Sequence, residues 1–421
     1  MRESPPQTAA PTPTQIGQKQ TRRSTSFAHT QSNSHRTPVN LAPSNTPYYD
    51  PIVSHFMAAL LSEIIKRHGP MRFDEFMQIS LYQPDTGYYA SGQTRPGAQG
   101  DFLTPVSPGP VLGQLLALQI IELHSFLNSP PTFHLIEQGA DRGHLALDIL
   151  SALSQSHPHL LSSLHLHLIE PYPALAHQQK ATLHSLLSKL SIHWHPNLAS
   201  LPLLSEPAYF YSCELIDSFP VRLIRFTSGQ WHERWVTLKQ DHFDWLDQPA
   251  SPELIQQIHH LSIPTMENFS AEIRPAVSPW MHLLSQKIQQ GLLLTLDYGF
   301  LAPDLYHPSR SAGTLVALRQ HTPSPNPLAH PGDQDLTAHV NFTELIEEGN
   351  SSGWQSYGPL PFLSALTRQA TPLLRHEPTL SEKWTRNFQH LTHPSFFGQT
   401  HSALLQSKNL PPSYRPSMFT F

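Results

Sequence analysis

The fold is decided by residues 135–143, which read LIEQGADRG. The apolar run at 133–136 predicts a strand, and this strand ends at an acidic residue, Glu137. Two glycines follow, Gly139 and Gly143, and leucine and isoleucine then recur with the spacing of a helix. Glycine adopts positive φ at little cost and lets a backbone approach a ligand closely. The stretch favours the strand, glycine turn and helix that open a nucleotide-binding α/β domain, and an ordinary strand-to-helix turn is the alternative.

The spacing of the glycines narrows the class of ligand. The pattern E-x-G-x-x-x-G differs from the dinucleotide fingerprint G-x-G-x-x-G, so the sequence disfavours NAD. A second acid is expected about 20 residues or more downstream, where its oxygens would accept hydrogen bonds from ribose hydroxyls. Residues 164–170, LHLHLIE, alternate as a strand does and end at Glu170. The two strand ends together favour a ligand that contains adenosine, although Glu170 alone also fits a solvated strand end.

The first 50 residues differ in composition from the rest of the 421-residue chain. Residues 1–51 contain eight of the 42 prolines, with many serines, threonines and glutamines and little apolar content. Such a segment cannot bury enough surface to offset its ordering entropy, so we predict a disordered tail. Its arginines and its shortage of acids also suit a transit peptide, but the early prolines disrupt an amphipathic helix. We therefore predict a location in the bacterial cytoplasm, with the mitochondrial matrix as the alternative.

Charge and composition exclude several classes of function. The net charge is −5, and the basic residues do not cluster outside the tail. The sequence therefore does not predict binding to nucleic acid or to a membrane surface. No apolar run reaches the roughly 18 residues that a membrane-spanning helix needs. The single cysteine, Cys213, excludes an internal disulfide and a cysteine zinc site. The 28 histidines include pairs on one strand face, but they are scattered through the whole chain, and we predict no metal site.

The rest of the sequence predicts an α/β core that carries insertions. Helical patterns are expected over 52–67 and 111–127, and the aromatic-rich stretch 72–104 between them reads as irregular. Residues 222–290, which hold Trp231, Trp235 and Trp245, predict strands and helices inserted into the core. The core itself is expected to contain strands at 133–137, 164–170, 191–195, 207–213 and 292–296, and helices at 143–154 and 174–190.

These patterns predict a division of the chain into three parts. The tail covers residues 1–50, and an N-terminal helical and aromatic segment covers residues 51–130. The core covers residues 131–421, with insertions at about 222–290 and 300–345. The sequence does not predict an oligomeric state.

Further acids lie at the ends of two other predicted strands. Glu214 and Asp217 follow the strand at 207–213, and Asp297 follows the strand at 292–296. Ligands of parallel α/β sheets bind beyond the carboxyl ends of the strands, so these three carboxyl groups are candidate catalytic residues. Paired carboxylates can orient a cationic acceptor or hold a ribose. The alternative is a strand-end glutamate and an aspartate that caps a helix.

Many blocks of sequence then occur in a fixed order over about residues 55–407. They include FDEFM at 73–77, GYY at 87–89, GDF at 100–102, ELIDSFPV at 214–221 and DYG at 297–299. In their order and number these blocks resemble the MidA family, S-adenosylmethionine-dependent methyltransferases linked to the assembly of mitochondrial complex I. The resemblance implies an α/β, Rossmann-like, seven-stranded class I methyltransferase with an inserted substrate-binding region and an N-terminal helical segment.

The resemblance also implies a cofactor, a substrate class and roles for residues. The cofactor is S-adenosylmethionine, and the substrate is a protein, such as a subunit of respiratory complex I, methylated on arginine. Glu137, Gly139 and Gly143 would surround the methionine part of the cofactor, and Glu170 would hold its ribose. Glu214 and Asp217 would face the acceptor or the edge of the cofactor, and Gly100, Asp101 and Asp297 would close the site.

The chain departs from the family pattern at several of these places. The family pattern is close to ELGPGRG where this chain reads EQGADRG, so Asp141 replaces a glycine near the expected cofactor. A Pro-Glu pair expected after the GDF block reads Val106-Ser107, and the asparagine expected before Glu214 is Cys213. Three hypotheses therefore stay open: an active protein methyltransferase, a non-catalytic relative that acts as an assembly module, and a small-molecule methyltransferase.

Overall fold

The computed structural model describes residues 51–90, 103–319, 322–376 and 380–420. Within these residues the predicted core strands form one large sheet, mainly parallel. Its main strands, in chain order, are β1 (Phe133–Gln138), β2 (Leu164–Ile169), β3 (Ser191–His195), β4 (Ala208–Cys213), β5 (Gly291–Phe300), β6 (Gln355–Pro361) and β7 (His401–Lys408). Their order across the sheet is β6-β7-β5-β4-β1-β2-β3, and β7 alone among these seven runs antiparallel to its neighbours. The predicted seven-stranded α/β fold is confirmed.

The strand order places a crevice at the centre of the sheet. From β1 the chain moves outward to β2 and β3, and it then returns to β4 on the other side of β1. The connections after β1 and β4 therefore leave the sheet in opposite directions. A parallel sheet binds its ligands at such a switch point, beyond the carboxyl ends of the strands. Glu137 lies in β1 and Glu214 directly follows β4, so the topology places both acids at this point.

Both faces of the central sheet are covered, as a parallel sheet requires. Alternate side chains of neighbouring strands belong to different core clusters. Leu135 and Tyr209 pack with residues of the helices at 111–126 and 144–156, whereas Ile136 and Phe210 pack with residues of other helices. The helices are Pro51–His68, Phe73–Tyr82, Val111–Phe126, His144–Ser156, Pro173–Thr182, Pro252–His260, Val277–Lys287, Ala302–Leu305, Phe342–Ser351, Phe362–His376, Glu382–Thr392 and Phe397–Thr400.

The expectation that residues 72–104 are irregular is wrong for their first part. Residues Phe73–Tyr82 form a helix, and its buried side chains include Phe73, Phe76, Met77 and Leu81. The spacing of these four residues is that of one helical face, which the density of aromatic residues obscured. The predicted helix over 174–190 is also too long, because it ends at Thr182 and a short 3₁₀ turn follows at 184–186.

The stretches predicted as insertions form two smaller antiparallel sheets beside the core. One contains Met71–Arg72, Arg222–Thr227, Gln230–Lys239, His242–Pro249 and Ser270–Ile273. The other contains Val316–Arg319, Thr322–Ser324 and Asp335–Thr337. Apolar side chains of the first two helices pack against the inserted strands, for example Phe73 and Met77 in the same cluster as Val236 and Leu336. The N-terminal segment and the insertions therefore share one hydrophobic core. None of the helices within the described ranges is long and apolar enough to cross a membrane.

Candidate active site

A cavity of about 1540 Å³ opens at the carboxyl ends of β1 and β4. A site for one small ligand usually has a volume of about 300–1,000 Å³, so this cavity has room for a cofactor and an acceptor side chain together. Five of the predicted site residues line it: Glu137, Gly139, Glu170, Glu214 and Asp217. Gly100 and Asp101, predicted to close the site, lie outside the described residues.

The glycine loop after β1 follows a left-handed path. Gly139 has a φ of +80°, Asp141 a φ of +44° and Gly143 a φ of +81°. Gly139 and Asp141 line the cavity, and a Cβ at Gly139 would lie 3.2 Å from a methyl carbon of Leu215. Gly143 is not among the described residues that line the cavity, and it precedes the first residue of the helix at 144–156. The loop therefore presents backbone to the cavity at Gly139, and it places an acidic side chain there at Asp141.

Glu137 is held from the neighbouring strand. The hydroxyl group of Tyr211 in β4 donates a hydrogen bond to Glu137 Oε2 at 2.8 Å. Both side chains are buried, and burial raises the pKa of Glu137 to about 8, although the Tyr211 hydrogen bond acts in the opposite direction. A cation beside Glu137 would favour its ionised form.

Glu170 is fixed at both of its carboxylate oxygens. The backbone N–H of Tyr172 donates to Oε1 at 2.9 Å, and the amide of Gln179 donates to Oε2 at 2.8 Å. The same Gln179 amide nitrogen donates to the carbonyl of Asp141 at 2.8 Å, and the Trp194 indole donates to Gln179 Oε1 at 3.0 Å. Gln179 therefore joins the glycine loop to the acid after β2. Burial raises the pKa of Glu170 to about 7.

Glu214 follows β4 in a left-handed conformation, with a φ of +51°. Its Oε1 lies 2.8 Å from Nε2 of His401, the first residue of β7. Both side chains line the cavity, and both are largely buried. The two residues are far apart in sequence, and they meet because β7 pairs with β5.

Asp297 supports the loop that carries the other two acids. Its Oδ2 accepts hydrogen bonds from the N–H groups of Ile216 at 3.0 Å and Asp217 at 3.4 Å, and its Oδ1 accepts from the N–H of Tyr298 at 2.9 Å. Asp297 is fully buried, and it is not among the described residues that line the cavity. Its contacts are therefore with the loop at 214–217 and not with the cavity.

Asp217 reaches the cavity with a free carboxylate oxygen. Its Oδ1 is buried and has no hydrogen-bond partner among the described residues. Its carboxyl group interacts with the hydroxyl of Tyr298, and Arg274 donates to its backbone carbonyl at 3.2 Å. Burial raises the pKa of Asp217, against the opposing effects of Tyr298 and Arg274. A buried acceptor without a partner is costly, so this oxygen favours a ligand that carries a hydrogen-bond donor.

Tyrosines and a second aspartate surround Asp217. The hydroxyl of Tyr89 donates to Asp335 Oδ1 at 2.6 Å, and the hydroxyl of Tyr82 donates to Ser218 Oγ at 2.8 Å. The rings of Tyr82 and Tyr89 lie 5.5 Å apart. We call this region of the cavity, formed by Tyr82, Tyr89, Asp217, Tyr298 and Asp335, the aromatic end.

Sequence reasoning missed several residues that hold the site together. Gln179 and Trp194 carry no motif, and Arg274 lies in an insertion, where it donates to backbone carbonyls that include those of Asp217 and Ala338. His401 lies far from any glycine or acidic motif. Only Tyr211 had a usable signal, because it lies in a predicted strand that pairs with β1 directly opposite Glu137.

The residues present fit S-adenosylmethionine. A carboxylate offers about four lone-pair positions. Protein groups use two of those on Glu170, which leaves positions for the two hydroxyls of a ribose. The backbone at Gly139 approaches the cavity where a side chain would contact Leu215. Asp141 adds a carboxyl group that can pair with an ammonium group. Among the described residues, no group of three or more histidine, cysteine or acidic side chains could hold a metal ion.

Comparisons with known proteins agree with this geometry. The model of the family Methyltransf_28, described as an S-adenosyl-L-methionine-dependent methyltransferase, matches residues 115–360. The chain is similar to the mitochondrial protein arginine methyltransferase NDUFAF7 homolog of Drosophila melanogaster, with 25% identity over 81% of this chain and 82% of that protein. Its similarity to the mitochondrial protein arginine methyltransferase NDUFAF7 of Rattus norvegicus is also 25%, over 85% and 84% of the two chains.

A solved structure shows the same fold with a ligand. It is a COG1565 superfamily member from Burkholderia thailandensis bound to S-adenosyl-homocysteine, with 25% identity and a TM-score of 0.76. The match covers 89% of this chain and 97% of that chain. The resemblance to the MidA family and the predicted cofactor are therefore confirmed. This chain belongs to the Methyltransf_28 family, whose members are S-adenosyl-L-methionine-dependent methyltransferases.

Proposed function

We propose that this methyltransferase transfers its methyl group to a nitrogen of an arginine side chain in a protein. The observation that carries the proposal is the charge of the cavity. The aromatic end holds Asp217 and Asp335, and no lysine or arginine is among the described residues that line the cavity. Such a wall favours a cationic acceptor.

A guanidinium group matches this surface better than the compact ammonium group of a lysine does. It is planar and has five N–H donors, which pair with carboxylate oxygens in a fixed geometry. Asp217 Oδ1 is buried, has no hydrogen-bond partner within the described ranges, and can accept one of those donors. The faces of Tyr82 and Tyr89 can contact the cation as aromatic rings. The three features together support arginine as the acceptor residue.

The roles that we propose for the other site residues follow from their contacts. The cofactor supplies a methyl group bound to a positively charged sulfur. Glu170 binds the ribose hydroxyls, and the backbone at Gly139 with the carboxyl of Glu137 surrounds the methionine part. Gly143 begins the following helix, and Asp297 holds the loop at 214–217 through its N–H groups. Methyl transfer is an in-line displacement, so most of the acceleration comes from such positioning.

The names of the relatives support a protein substrate. Those similar proteins are called protein arginine methyltransferases and mitochondrial. We propose by this similarity that the acceptor is a protein and that the protein is located in mitochondria. The complex I subunit expected from the MidA resemblance stays a prediction.

A transfer assay with matched peptides tests the proposal. The chain is incubated with S-adenosylmethionine that carries a labelled methyl group and with a peptide that contains one arginine. The control peptide has lysine at that position. We expect label in the arginine peptide, and we expect Asp217→Asn to lower its incorporation about 100-fold, since the loss of one charged contact is worth about 3 kcal/mol.

The binding of S-adenosyl-homocysteine by the Asp217→Asn variant is the control. We expect it to stay within about twofold of the native value, because Asp217 lies at the aromatic end and not at the ribose. Equal labelling of the lysine and arginine peptides, or label found only in small molecules of a cell extract, would contradict the proposal.

A further inference from the structure

Glu214 and His401 form a hydrogen-bonded pair that is largely buried and lies at the wall of the cavity. Glu214 Oε1 lies 2.8 Å from His401 Nε2, and Glu214 holds a left-handed backbone conformation. The exposed fractions of the two side chains are 13% and 8%, so water screens the pair little. Both residues line the cavity next to the aromatic end.

The neighbouring threonine favours one tautomer of His401. The hydroxyl oxygen of Thr400 lies 2.9 Å from the carbonyl oxygen of Phe396, to which it can donate its only proton. The same oxygen lies 2.9 Å from His401 Nδ1, and with its proton on the Phe396 carbonyl it accepts there, an arrangement that requires a proton on Nδ1. A neutral imidazole with a proton on Nδ1 has a bare lone pair on Nε2. That lone pair faces Glu214.

Two lone pairs cannot face each other at this distance, so one proton lies between Glu214 and His401. Burial raises the pKa of Glu214 well above its usual range, and Asp217 adds to the effect. Burial lowers the pKa of His401 to about 4, although Asp217 opposes the shift. The shared proton therefore rests mainly on Glu214, and the pair is neutral.

The charged and titratable groups around the pair come from several elements. Asp217, in the loop after β4, raises the pKa of Glu214. Asp297, in β5, has its own pKa raised by Asp217 and Glu214. Tyr298 of β5 has its ring 5.4 Å from the ring of His401, and His339 lies close enough for His401 to lower its pKa. Cys213 precedes Glu214, and burial raises the pKa of its thiol. The acids in this group favour a proton close to the pair.

We propose that Glu214 and His401 share one proton and together take up the proton that the methyl acceptor releases. The proposal rests on the proposed function. Glu214 is the catalytic residue, because it lines the cavity beside the acceptor. His401 is a positioning residue that acts through Glu214.

The step balances in atoms and charge. A bond forms between the acceptor nitrogen and the methyl carbon, and the bond from that carbon to sulfur breaks with its electron pair left on sulfur. The acceptor nitrogen gives a proton to the free oxygen of Glu214, and the shared proton moves from Oε1 to His401 Nε2. Two positive charges, on sulfur and on the guanidinium, become one on the methylated guanidinium and one on the pair.

The first test is NMR spectroscopy of the full chain with ¹⁵N-labelled histidine, without an acceptor. We expect Nδ1 of His401 to carry a proton at pH 7, and Nε2 to have a chemical shift between those of a protonated and a bare nitrogen. In Glu214→Gln the Nε2 shift should move to that of a bare nitrogen. A proton fully on Nε2 with a bare Nδ1, or no change in Glu214→Gln, would overturn the proposal.

The second test is the pH profile of methyl transfer to the arginine peptide in His401→Gln. Glutamine keeps a hydrogen bond to Glu214 but cannot take up a proton. We expect kcat at pH 7 to fall about 100-fold, the lower end of the range typical of lost acid–base assistance, and to recover partly by pH 9 as Glu214 ionises alone. A profile parallel to that of the native chain would contradict a role in proton uptake.

Two controls complete the design. His260→Gln breaks an exposed histidine–glutamate pair, His260 with Glu347 at 3.6 Å, and should leave the profile unchanged. The affinity of His401→Gln for S-adenosyl-homocysteine should equal the native affinity, which shows that the variant folds. The NMR result does not depend on the acceptor. If the NMR shows a shared proton but no methyl group is transferred to arginine, the proposed function is contradicted and the shared proton of Glu214 and His401 is still supported.

Discussion

The Gln179→Leu substitution tests whether the glycine loop and Glu170 act as one unit. The Gln179 amide donates to Glu170 Oε2 and to the Asp141 carbonyl, both at 2.8 Å, and accepts from the Trp194 indole at 3.0 Å. Gln179 is fully buried. Leucine has nearly the same size, so the change removes polar contacts without opening a large cavity.

The size of the effect follows from these contacts. A lost neutral hydrogen bond costs about 1 kcal/mol and a lost bond to a charged group about 1.5–3 kcal/mol, so the three contacts amount to about 3.5–5 kcal/mol. Water can replace part of this, because Trp194 and Asp141 are only half-buried. We therefore expect the free energy of unfolding to fall by about 3 kcal/mol. Of its two hydrogen bonds to described residues, Glu170 keeps the one from the Tyr172 N–H, and we expect cofactor affinity to fall about tenfold, or about 1.4 kcal/mol.

Thermal unfolding and calorimetric titration with S-adenosyl-homocysteine measure the two effects separately. The matched control is Gln119→Leu, because Gln119 is also buried and accepts a hydrogen bond from Tyr209, but it does not line the cavity among the described residues. We expect Gln119→Leu to lower stability without changing the affinity. If folded Gln179→Leu binds S-adenosyl-homocysteine with the native Kd, Gln179 does not position the ribose-binding acid and the reasoning fails.

Three further predictions concern titration and the acceptor loop. Because burial raises the pKa of Glu170 to about 7, protonation of Glu170 should lower cofactor affinity by up to about tenfold per pH unit below 7, and Glu170→Gln should remove this contribution, so that the affinity differs less between pH 6 and pH 8 than in the native chain. His167, bonded to His134 and His195, has its pKa lowered to about 3. The stability that it contributes is present above pH 6.5 and is lost as the pH falls, by about 2 kcal/mol at pH 5, so denaturation of His167→Gln should show a smaller loss between pH 7 and 5. Arg274→Gln should lower kcat about tenfold at unchanged cofactor affinity, since Arg274 donates to the carbonyls of Asp217 and Phe219 in the loop after β4 and to those of Ala338 and His339, and so holds these two segments together.

The core strands and the acids at their ends could be predicted because local patterns determine them. The run at 133–136 and the alternation at 164–169 need no tertiary information to indicate strands. Glu137, Glu170 and Glu214 lie at strand ends, and every parallel strand presents its carboxyl end at the same edge of the sheet. Their convergence on one cavity therefore follows from topology.

The residues that hold these acids could not be predicted, because their partners are distant in sequence. His401 reaches Glu214 only after β7 has inserted beside β5, and 186 residues separate the two in the chain. Gln179 lies on a helix where its spacing gives no sign of contact with Glu170 or Asp141. The helix at 73–82 is hard to predict for a different reason, because the density of aromatic residues obscures the spacing of its buried face.

The position of Asp297 shows that a sequence motif does not determine the direction of its side chains. Sequence reasoning predicted three acids in similar positions at strand ends. In the structure Asp297 points to the N–H groups of the loop at 214–217, whereas Asp217 lines the cavity. The direction of each side chain depends on the strand register, which the spacing of the motif does not contain.

We expect the altered loop EQGADRG to bind S-adenosylmethionine. Calorimetric titration of the full chain with S-adenosylmethionine, repeated with Asp141→Gly, measures this binding. The native chain should bind with a Kd of about 1 μM, or about −8 kcal/mol. The Asp141→Gly variant should bind within about tenfold of this value, because Asp141 already has a glycine-like φ of +44°. If the native chain does not bind, whether or not Asp141→Gly restores binding, the loop does not form a working cofactor site.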